Sequence, residues 1–100
     1  MNVKNLKLIT VVAEAFVSDR IIREMKRLGA TGYTATAANG GGSRTSRASE
    51  GERKNVKIET LVNEQVATRI LDLLAAHYLN NYAIVTYIQE VGVARGEEYG

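Results

Sequence analysis

The feature that most constrains this chain is a polar segment, residues 39–54, which separates two halves of similar pattern. The segment holds four glycines, three serines, three arginines and no large apolar side chain, so it cannot bury itself and is expected to form a mobile loop. On each side of it, a strand-like run is followed by a helix-like run and a second strand-like run. The sequence therefore predicts the order β-α-β-loop-β-α-β.

In the first half, the apolar and β-branched run at residues 6–12 predicts a strand that enters a core. Ser18 is predicted to cap a helix over residues 19–28, with basic residues in its last turn and Gly29 as its stop. Residues 32–37 predict the second strand. The apolar stripe of the helix comprises Val17, Ile21, Ile22, Met25 and Leu28.

In the second half, residues 56–62 alternate as a third strand. Asn63 is predicted to cap a helix over residues 64–78, and residues 82–91 predict the fourth strand. Residues 94–100 are expected to form a flexible tail. One face of the third strand is assigned Val56, Ile58, Thr60 and Val62, and the buried helix side is assigned Val66, Ile70, Leu73, Leu74 and either His77 or Tyr78.

This order is the layout of a ferredoxin-like βαββαβ domain of the α+β class, spanning residues 1–100. Such a domain has a four-stranded antiparallel sheet with two helices on one face, here with a long loop between strands 2 and 3. Apolar residues occur on both faces of the predicted strands, whereas helices would cover only one. We therefore expect another copy of the same chain to cover the second face.

Composition excludes several classes of function. The chain has no cysteine and one histidine, which excludes disulfide and thiolate chemistry and argues against a zinc site. Its apolar runs are far shorter than a membrane span, so a soluble, cytoplasmic protein is expected. A formal net charge of +2 and a single phenylalanine argue against nucleic-acid binding and against an RNA-binding module. No catalytic residue is predicted, because no nucleophile, base and acid are arranged by a recognisable motif.

The start of the 39–54 segment has the residue types that bind anions. Consecutive glycines let successive backbone N–H groups form a concave nest, and two arginines supply planar forks suited to phosphate. No Gly-Lys-Ser/Thr follows at the spacing of a P-loop. From the residues alone, both a plain flexible loop and a phosphate site remain open.

Three motifs together resemble those of PII-like signalling proteins. They are GATGYT at 29–34, GGGSR at 40–44 with Arg47 downstream, and HYLNNYAIV at 77–85. The resemblance covers nearly the whole chain and is strongest to the SbtB-like members, which regulate a cyanobacterial bicarbonate transporter.

The resemblance implies a homotrimer whose inter-subunit clefts bind AMP, ADP, ATP or cyclic AMP. The nucleotide would be an effector and not a tightly bound cofactor, and a divalent cation could accompany ATP. It further implies that the 39–54 segment is a T-loop that docks on an SbtA-like membrane bicarbonate transporter of a carbon-concentrating mechanism. The protein would then be cytoplasmic and peripherally associated with the membrane through that partner.

Site residues follow from the resemblance and from the chemistry of the loop. Ligand binding is assigned to Tyr33, Thr34, Thr36, Gly41, Gly42, Ser43, Arg44, Arg47, Glu59, Val91, Gly92 and Val93. Partner docking is assigned to Glu50, Glu52, Arg53 and Lys54. No metal ligand is assigned, and Gly92 is expected in a turn just after the fourth strand.

For several of these residues, a structural role without ligand binding remains an alternative. Tyr33 could be a core tyrosine, Glu59 a solvated strand residue, residues 91–93 an ordinary strand exit and residues 50–54 a solvated loop tip. A second function, a small nucleotide phosphohydrolase with slow ATP or ADP hydrolysis, also remains, since an arginine-rich nest can stabilise phosphoryl charge.

Overall fold

The structure is a computed structural model that describes residues 2–39 and 54–98. Its elements follow the predicted order. They are β1 (Val3–Glu14), α1 (Ala15–Arg27), β2 (Thr34–Ala38), β3 (Asn55–Val62), α2 (Glu64–His77), β4 (Val85–Ala94) and a short 3-10 helix (Gly96–Glu98).

The four strands form one antiparallel sheet in the order β2-β3-β1-β4. Val11 on β1 stands opposite Ile58 on β3 and Thr86 on β4, and Ala35 on β2 stands opposite Ile58. This is the strand order of the ferredoxin-like fold, so the predicted fold class is confirmed.

The core lies between the sheet and the two helices. Ile9, Val11 and Ile58 are fully buried on the helix side of the sheet, because alternate residues of each strand point to that side. The predicted helix stripes are confirmed. Val17, Ile21, Met25, Val66, Ile70, Leu74 and Tyr78 are buried, with Ile22, Leu28 and Leu73 packed at the margin. His77 is exposed, and the inward position at this end of α2 is taken by Tyr78, the residue that caps the helix.

The start of α1 differs from the prediction. The helix begins at Ala15, directly after β1, and Ser18 lies inside its first turn, where the hydroxyl donates to the Ala15 carbonyl at 2.9 Å. Ser18 is therefore not the cap. The β1–β3 ladder runs to Glu14 opposite Asn55, and the Ala15 N–H donates to the Lys54 carbonyl at 2.8 Å. One of the free N–H groups at the start of the helix is thus satisfied by the backbone just before β3, without a side-chain cap.

The end of α1 is as predicted. Lys26 and Arg27 occupy the last turn, where cations complement the helix dipole. Gly29 follows at φ 122° and donates to the Lys26 carbonyl at 3.1 Å. A Cβ at Gly29 would lie 2.9 Å from Cγ2 of Val66, so both its backbone conformation and its packing require glycine.

The cap of α2 is also as predicted, since the side chain of Asn63 accepts a hydrogen bond from the Val66 N–H at 2.8 Å. The next strand begins later than predicted. The Tyr82 N–H donates to the Tyr78 carbonyl at 3.0 Å, so the chain is still turning at Tyr82, and β4 spans Val85–Ala94.

The segment predicted as a flexible tail contains regular secondary structure as far as it is described. Ala94 closes β4 opposite Val3, and the 3-10 helix Gly96–Glu98 follows it. Gly96 is buried so closely against Lys4 that a Cβ would lie 2.5 Å from the Lys4 Cβ.

Neither α1 nor α2 covers the opposite face of the sheet, called the open face here, although the 3-10 helix packs against β1 at the Lys4 end of that face. Val85 and Tyr87 are 39% and 45% exposed there, and Leu8 and Leu61 are half-buried beside them. The covering of this face by a second copy stays a prediction. In the described residues, no helix has the length and apolar character needed to cross a bilayer.

Candidate functional site

A groove of about 610 Å³ opens at one end of the open face, within the usual size range of small-molecule sites. Its walls come from β1, from the start of β2 and the segment before it, and from the ends of β3 and β4. The lining residues are Leu8, Gly32, Tyr33, Thr34, Glu59, Thr60, Leu61, Val91, Gly92 and Val93.

The groove brings together six residues that the sequence analysis assigned to ligand binding. These are Tyr33, Thr34, Glu59, Val91, Gly92 and Val93. They come from three separate elements, and the β1–β3, β1–β4 and β2–β3 pairings bring their strand ends to the same corner of the sheet.

The wall before β2 is fixed by one partly buried hydrogen bond. The Thr60 hydroxyl donates to the Gly32 carbonyl at 2.6 Å, and Thr60 is 2% exposed. A Cβ placed on Gly32 would meet nothing within 4 Å, so this backbone faces open space in the groove. Thr60 therefore sets the position from which Tyr33 enters the groove.

Tyr33 is a groove residue and not a core tyrosine. It is 47% exposed, and the Lys26 ammonium lies 5.8 Å from the centre of its ring. At that distance the cation is attracted to the ring face. The last turn of α1 thus supports the tyrosine from outside the groove.

Among the described lining residues of the groove, Glu59 is the one that carries a charge. It is half-buried on the open face, opposite Thr34 on β2 and Thr10 on β1. An ionised carboxylate accepts hydrogen bonds from amino and hydroxyl groups and repels phosphate. A ligand of this groove would therefore place donors near Glu59 and any phosphates away from it.

Gly92 lies inside β4, opposite Asn5, so the prediction of a turn after the fourth strand is wrong. The strand continues because β1 offers it a partner from Val3 onward. A Cβ at Gly92 would lie 2.8 Å from Cγ1 of Val3. Glycine therefore allows the Val3 side chain to pack directly against the β4 backbone at the edge of the groove.

The remaining predicted site residues are not part of this groove. Thr36 is exposed on β2 opposite Lys57, two positions beyond the lining residue Thr34. Lys54 is exposed immediately before β3. The predictions for Gly41, Gly42, Ser43, Arg44, Arg47, Glu50, Glu52 and Arg53 lie outside the described residues.

Four lining residues were not predicted: Leu8, Gly32, Thr60 and Leu61. Leu8 and Leu61 face each other across the β1–β3 ladder, and the alternation of both strands is the signal that could have placed them on the open face. The GATGYT motif contains Gly32, but nothing local in the sequence joins it to Thr60.

A second side-chain cluster lies on the helix side of the molecule and was not predicted. Arg20 Nε donates to the Tyr78 hydroxyl at 2.9 Å, and Nη2 donates to the Tyr82 hydroxyl at 3.2 Å. The guanidinium also stands over both rings, and Phe16 lies 6.1 Å from the Tyr82 ring. The bond to Tyr78, followed by that to Tyr82, raises the pKa of Arg20 above its ordinary value.

Comparison with known proteins gives a family match over most of the chain. The family model described as nitrogen regulatory protein P-II matches residues 6–98. A candidate PII-like signalling protein from Thermus thermophilus, solved by crystallography, is 44% identical, with 100% of each chain covered and a TM-score of 0.86.

Two structures of CPII from Thiomonas intermedia K12 have the same fold at lower identity. The first, bound to ADP, AMP and acetate, is 17% identical with a TM-score of 0.85, covering 99% of this chain and 98% of that one. The second, bound to ADP, AMP and bicarbonate, is 20% identical with a TM-score of 0.79, covering 94% and 98%.

Proposed function

The chain belongs to the P-II family of nitrogen regulatory proteins, and on that premise we propose that it is a signalling protein whose effector is an adenine nucleotide. One observation carries the proposal: the groove that gathers Tyr33, Thr34, Glu59 and the β4 end into one lined space. CPII, which shares the fold, is bound to ADP and AMP.

The groove supplies the chemistry that a nucleoside requires. Val91, Val93 and Leu61 offer apolar contact to the faces of a purine. The Glu59 carboxylate accepts from an amino group of the base or from a ribose hydroxyl, and the Thr34 hydroxyl can bond either. Because Glu59 repels phosphate, the phosphates extend out of the groove.

The phosphates extend towards the segment that joins β2 to β3, with Thr36 along the way. Backbone N–H groups at Gly41 and Gly42, the Ser43 hydroxyl and the guanidinium groups of Arg44 and Arg47 are the groups that we propose to hold them. In this proposal the Glu59 carboxylate binds the nucleoside, and Arg44 and Arg47 bind the phosphates.

We also propose that the protein is a homotrimer. The open face exposes Val85 and Tyr87 and carries the groove at its end. A neighbouring copy covering that face would bury these side chains and close the open side of the groove. This arrangement is supported by the motif resemblance to PII-like proteins.

The docking role proposed for the 39–54 segment rests on the same resemblance. Glu50, Glu52, Arg53 and Lys54 are proposed to meet a membrane partner, an SbtA-like bicarbonate transporter, which would keep a cytoplasmic protein at the membrane periphery. The Ala15–Lys54 hydrogen bond anchors the segment's end to α1. A nucleotide that binds one loop conformation better than another would control the docking.

Isothermal titration with AMP, ADP, ATP, cyclic AMP and GDP tests the proposal. We expect the adenine nucleotides to bind and Glu59→Gln to weaken them about tenfold, the loss of one charge-assisted hydrogen bond. Glu90→Gln is the matched control, a strand glutamate on the helix side, and should leave affinity unchanged. Absence of nucleotide binding, or equal losses in the two variants, would contradict the groove assignment.

Two further measurements complete the test, the affinities of two arginine variants and an assay for hydrolysis product. Arg44→Ala and Arg47→Ala should weaken ADP and ATP more than adenosine, by about 1.5–3 kcal/mol for each lost bond to phosphate. The titrated mixture is then assayed for product, and multiple turnover would favour the phosphohydrolase over the signalling protein.

A further inference from the structure

The outward face of α1 carries a row of large exposed side chains. Phe16, Arg20, Arg23 and Arg27 follow one another at spacings of four, three and four residues, which places them in line on one side of the helix. All four are exposed, and Phe16 is 72% exposed. We call these four residues the α1 stripe.

The stripe concentrates positive charge. The helix Ala15–Arg27 has four basic and two acidic residues, a difference of +2, and the whole chain has a formal net charge of +2. Of its acids, Glu24 is half-buried and Asp19 is exposed. Within the described parts of the chain, no ion pair involves Arg20, Arg23 or Arg27. The charges of Arg23 and Arg27 are therefore available to a partner, and Arg20 adds its charge while bonded to Tyr78 and Tyr82.

The N-terminal end of the stripe is aromatic and held in place. Arg20 is fixed by its two hydrogen bonds to Tyr78 and Tyr82, and the Phe16 ring leans against Tyr82. An exposed phenylalanine beside a fixed cation is unusual on a solvated helix, because the side chains of such a face are normally polar.

We propose that the α1 stripe docks the protein onto an anionic lipid surface. The helix is about 20 Å long at 1.5 Å per residue, so its arginines meet a flat layer of phosphate headgroups together. Each basic side chain near such a surface adds to the attraction, and Phe16 reaches the acyl boundary below the headgroups. Phe16 favours lipid over a nucleic-acid duplex, whose phosphates offer an apolar ring no contact.

The surface is separate from the nucleotide groove. The stripe lies on the helix side of the sheet and the groove on the open face, so lipid and nucleotide would occupy opposite sides. A copy of the chain that covers the open face would leave α1 outward. The inference therefore stands or falls independently of the proposed effector.

Cosedimentation of the full chain with lipid vesicles, without nucleotide, tests the inference. We expect binding to vesicles that contain phosphatidylglycerol, none to pure phosphatidylcholine, and release as the salt concentration rises. Arg23→Glu should weaken binding at least about fivefold, and Phe16→Ala should weaken it without changing the charge. Arg69→Glu on α2 is the matched control, the same charge change at an exposed helix position.

Several outcomes would overturn the inference. It is wrong if the protein ignores anionic vesicles, or if Arg69→Glu costs as much as Arg23→Glu, since net charge alone would then explain the binding. Arg23-dependent binding to a DNA duplex with none to vesicles would assign the stripe to nucleic acid. Circular dichroism and ADP titration of each variant show whether fold and groove are intact.

Discussion

Two side chains, Thr60 in the lining of the groove and Lys26 outside it, control the shape of the groove. The Thr60 hydroxyl holds the Gly32 carbonyl from within the sheet, and the Lys26 ammonium stands over the Tyr33 ring from α1. Neither Lys26 nor the buried Thr60 hydroxyl was assigned to ligand binding by the sequence. The groove is therefore supported by residues whose effect on a ligand would pass through Gly32 and Tyr33.

Lys26→Met tests this support. The substitution keeps a long side chain and removes the charge, so the Tyr33 ring loses an attraction of about 0.5–1 kcal/mol. If Tyr33 contacts the nucleotide, ADP affinity should fall about two- to fivefold by titration. Lys26→Arg retains a cation and should retain affinity, and an Arg variant as weak as the Met variant would contradict the role of the charge.

Some residues of the groove could be predicted from the sequence, whereas the contacts of Arg20 could not, for a physical reason. Thr34, Glu59 and Gly92 sit in motifs or strands that can be recognised locally. The hydrogen bonds of Arg20 cannot be recognised locally, because its hydroxyl partners lie 58 and 62 residues away in the sequence. Contacts between distant segments depend on the packing of α1 against the turn after α2, which no local pattern encodes.

The N-terminal starts of the two helices are stabilised in different ways. At α2, the Asn63 side chain satisfies the Val66 N–H, as its residue type predicts. At α1, the strand passes directly into the helix and the Lys54 carbonyl satisfies the Ala15 N–H. Caps made by side chains can be predicted from sequence, whereas a cap made by the backbone of a distant strand cannot.

This difference predicts unequal costs of two similar substitutions. Asn63→Ala should lower the free energy of unfolding by about 1 kcal/mol, the usual value of an N-cap. Ser18→Ala should change it by less than about 0.5 kcal/mol, because a serine bonded to its own helix contributes little. Urea denaturation measures both, and a larger loss at Ser18 would contradict the observed start of α1.

The stop of α1 gives a second test. Gly29→Ala forces a Cβ into a positive-φ position and against Val66, so we expect a loss of about 2 kcal/mol or more. Gly32→Ala has open space around its Cβ and should cost less than about 0.5 kcal/mol. Equal losses in thermal or urea unfolding would show that the conformation of Gly29 is not what stabilises the turn.

The two faces of the sheet differ in how far they are covered. The helices cover one side of the sheet, and the open face exposes Val85 and Tyr87. The hydroxyl of Thr10 on the same face is buried without a hydrogen-bond partner in the described chain. The fold class was predictable because the β-α-β pattern appears twice, but what covers the open face depends on contacts with another molecule, which the pattern of one chain does not encode.

Val85→Glu tests the assembly. In the proposed trimer, a carboxylate on the open face would have to be buried against the next copy, which is costly without a partner, so the assembly should dissociate. Light scattering after size exclusion should give three times 10.9 kDa for the wild type and a smaller mass for the variant. Phe16→Glu, on the helix side, should remain trimeric. A variant that keeps the wild-type mass would exclude assembly through this face.

The placement of the tyrosines has a spectroscopic consequence. The chain has five tyrosines and no tryptophan, so its near-ultraviolet emission comes from tyrosine alone. Tyr33 lines the groove, Tyr87 lies on the open face, and Tyr78 and Tyr82 pair with Arg20. With Tyr33→Phe and Tyr87→Phe as blanks, the natural fluorescence of the protein would test the proposed nucleotide binding and the proposed subunit association as two separate signals, without an attached dye.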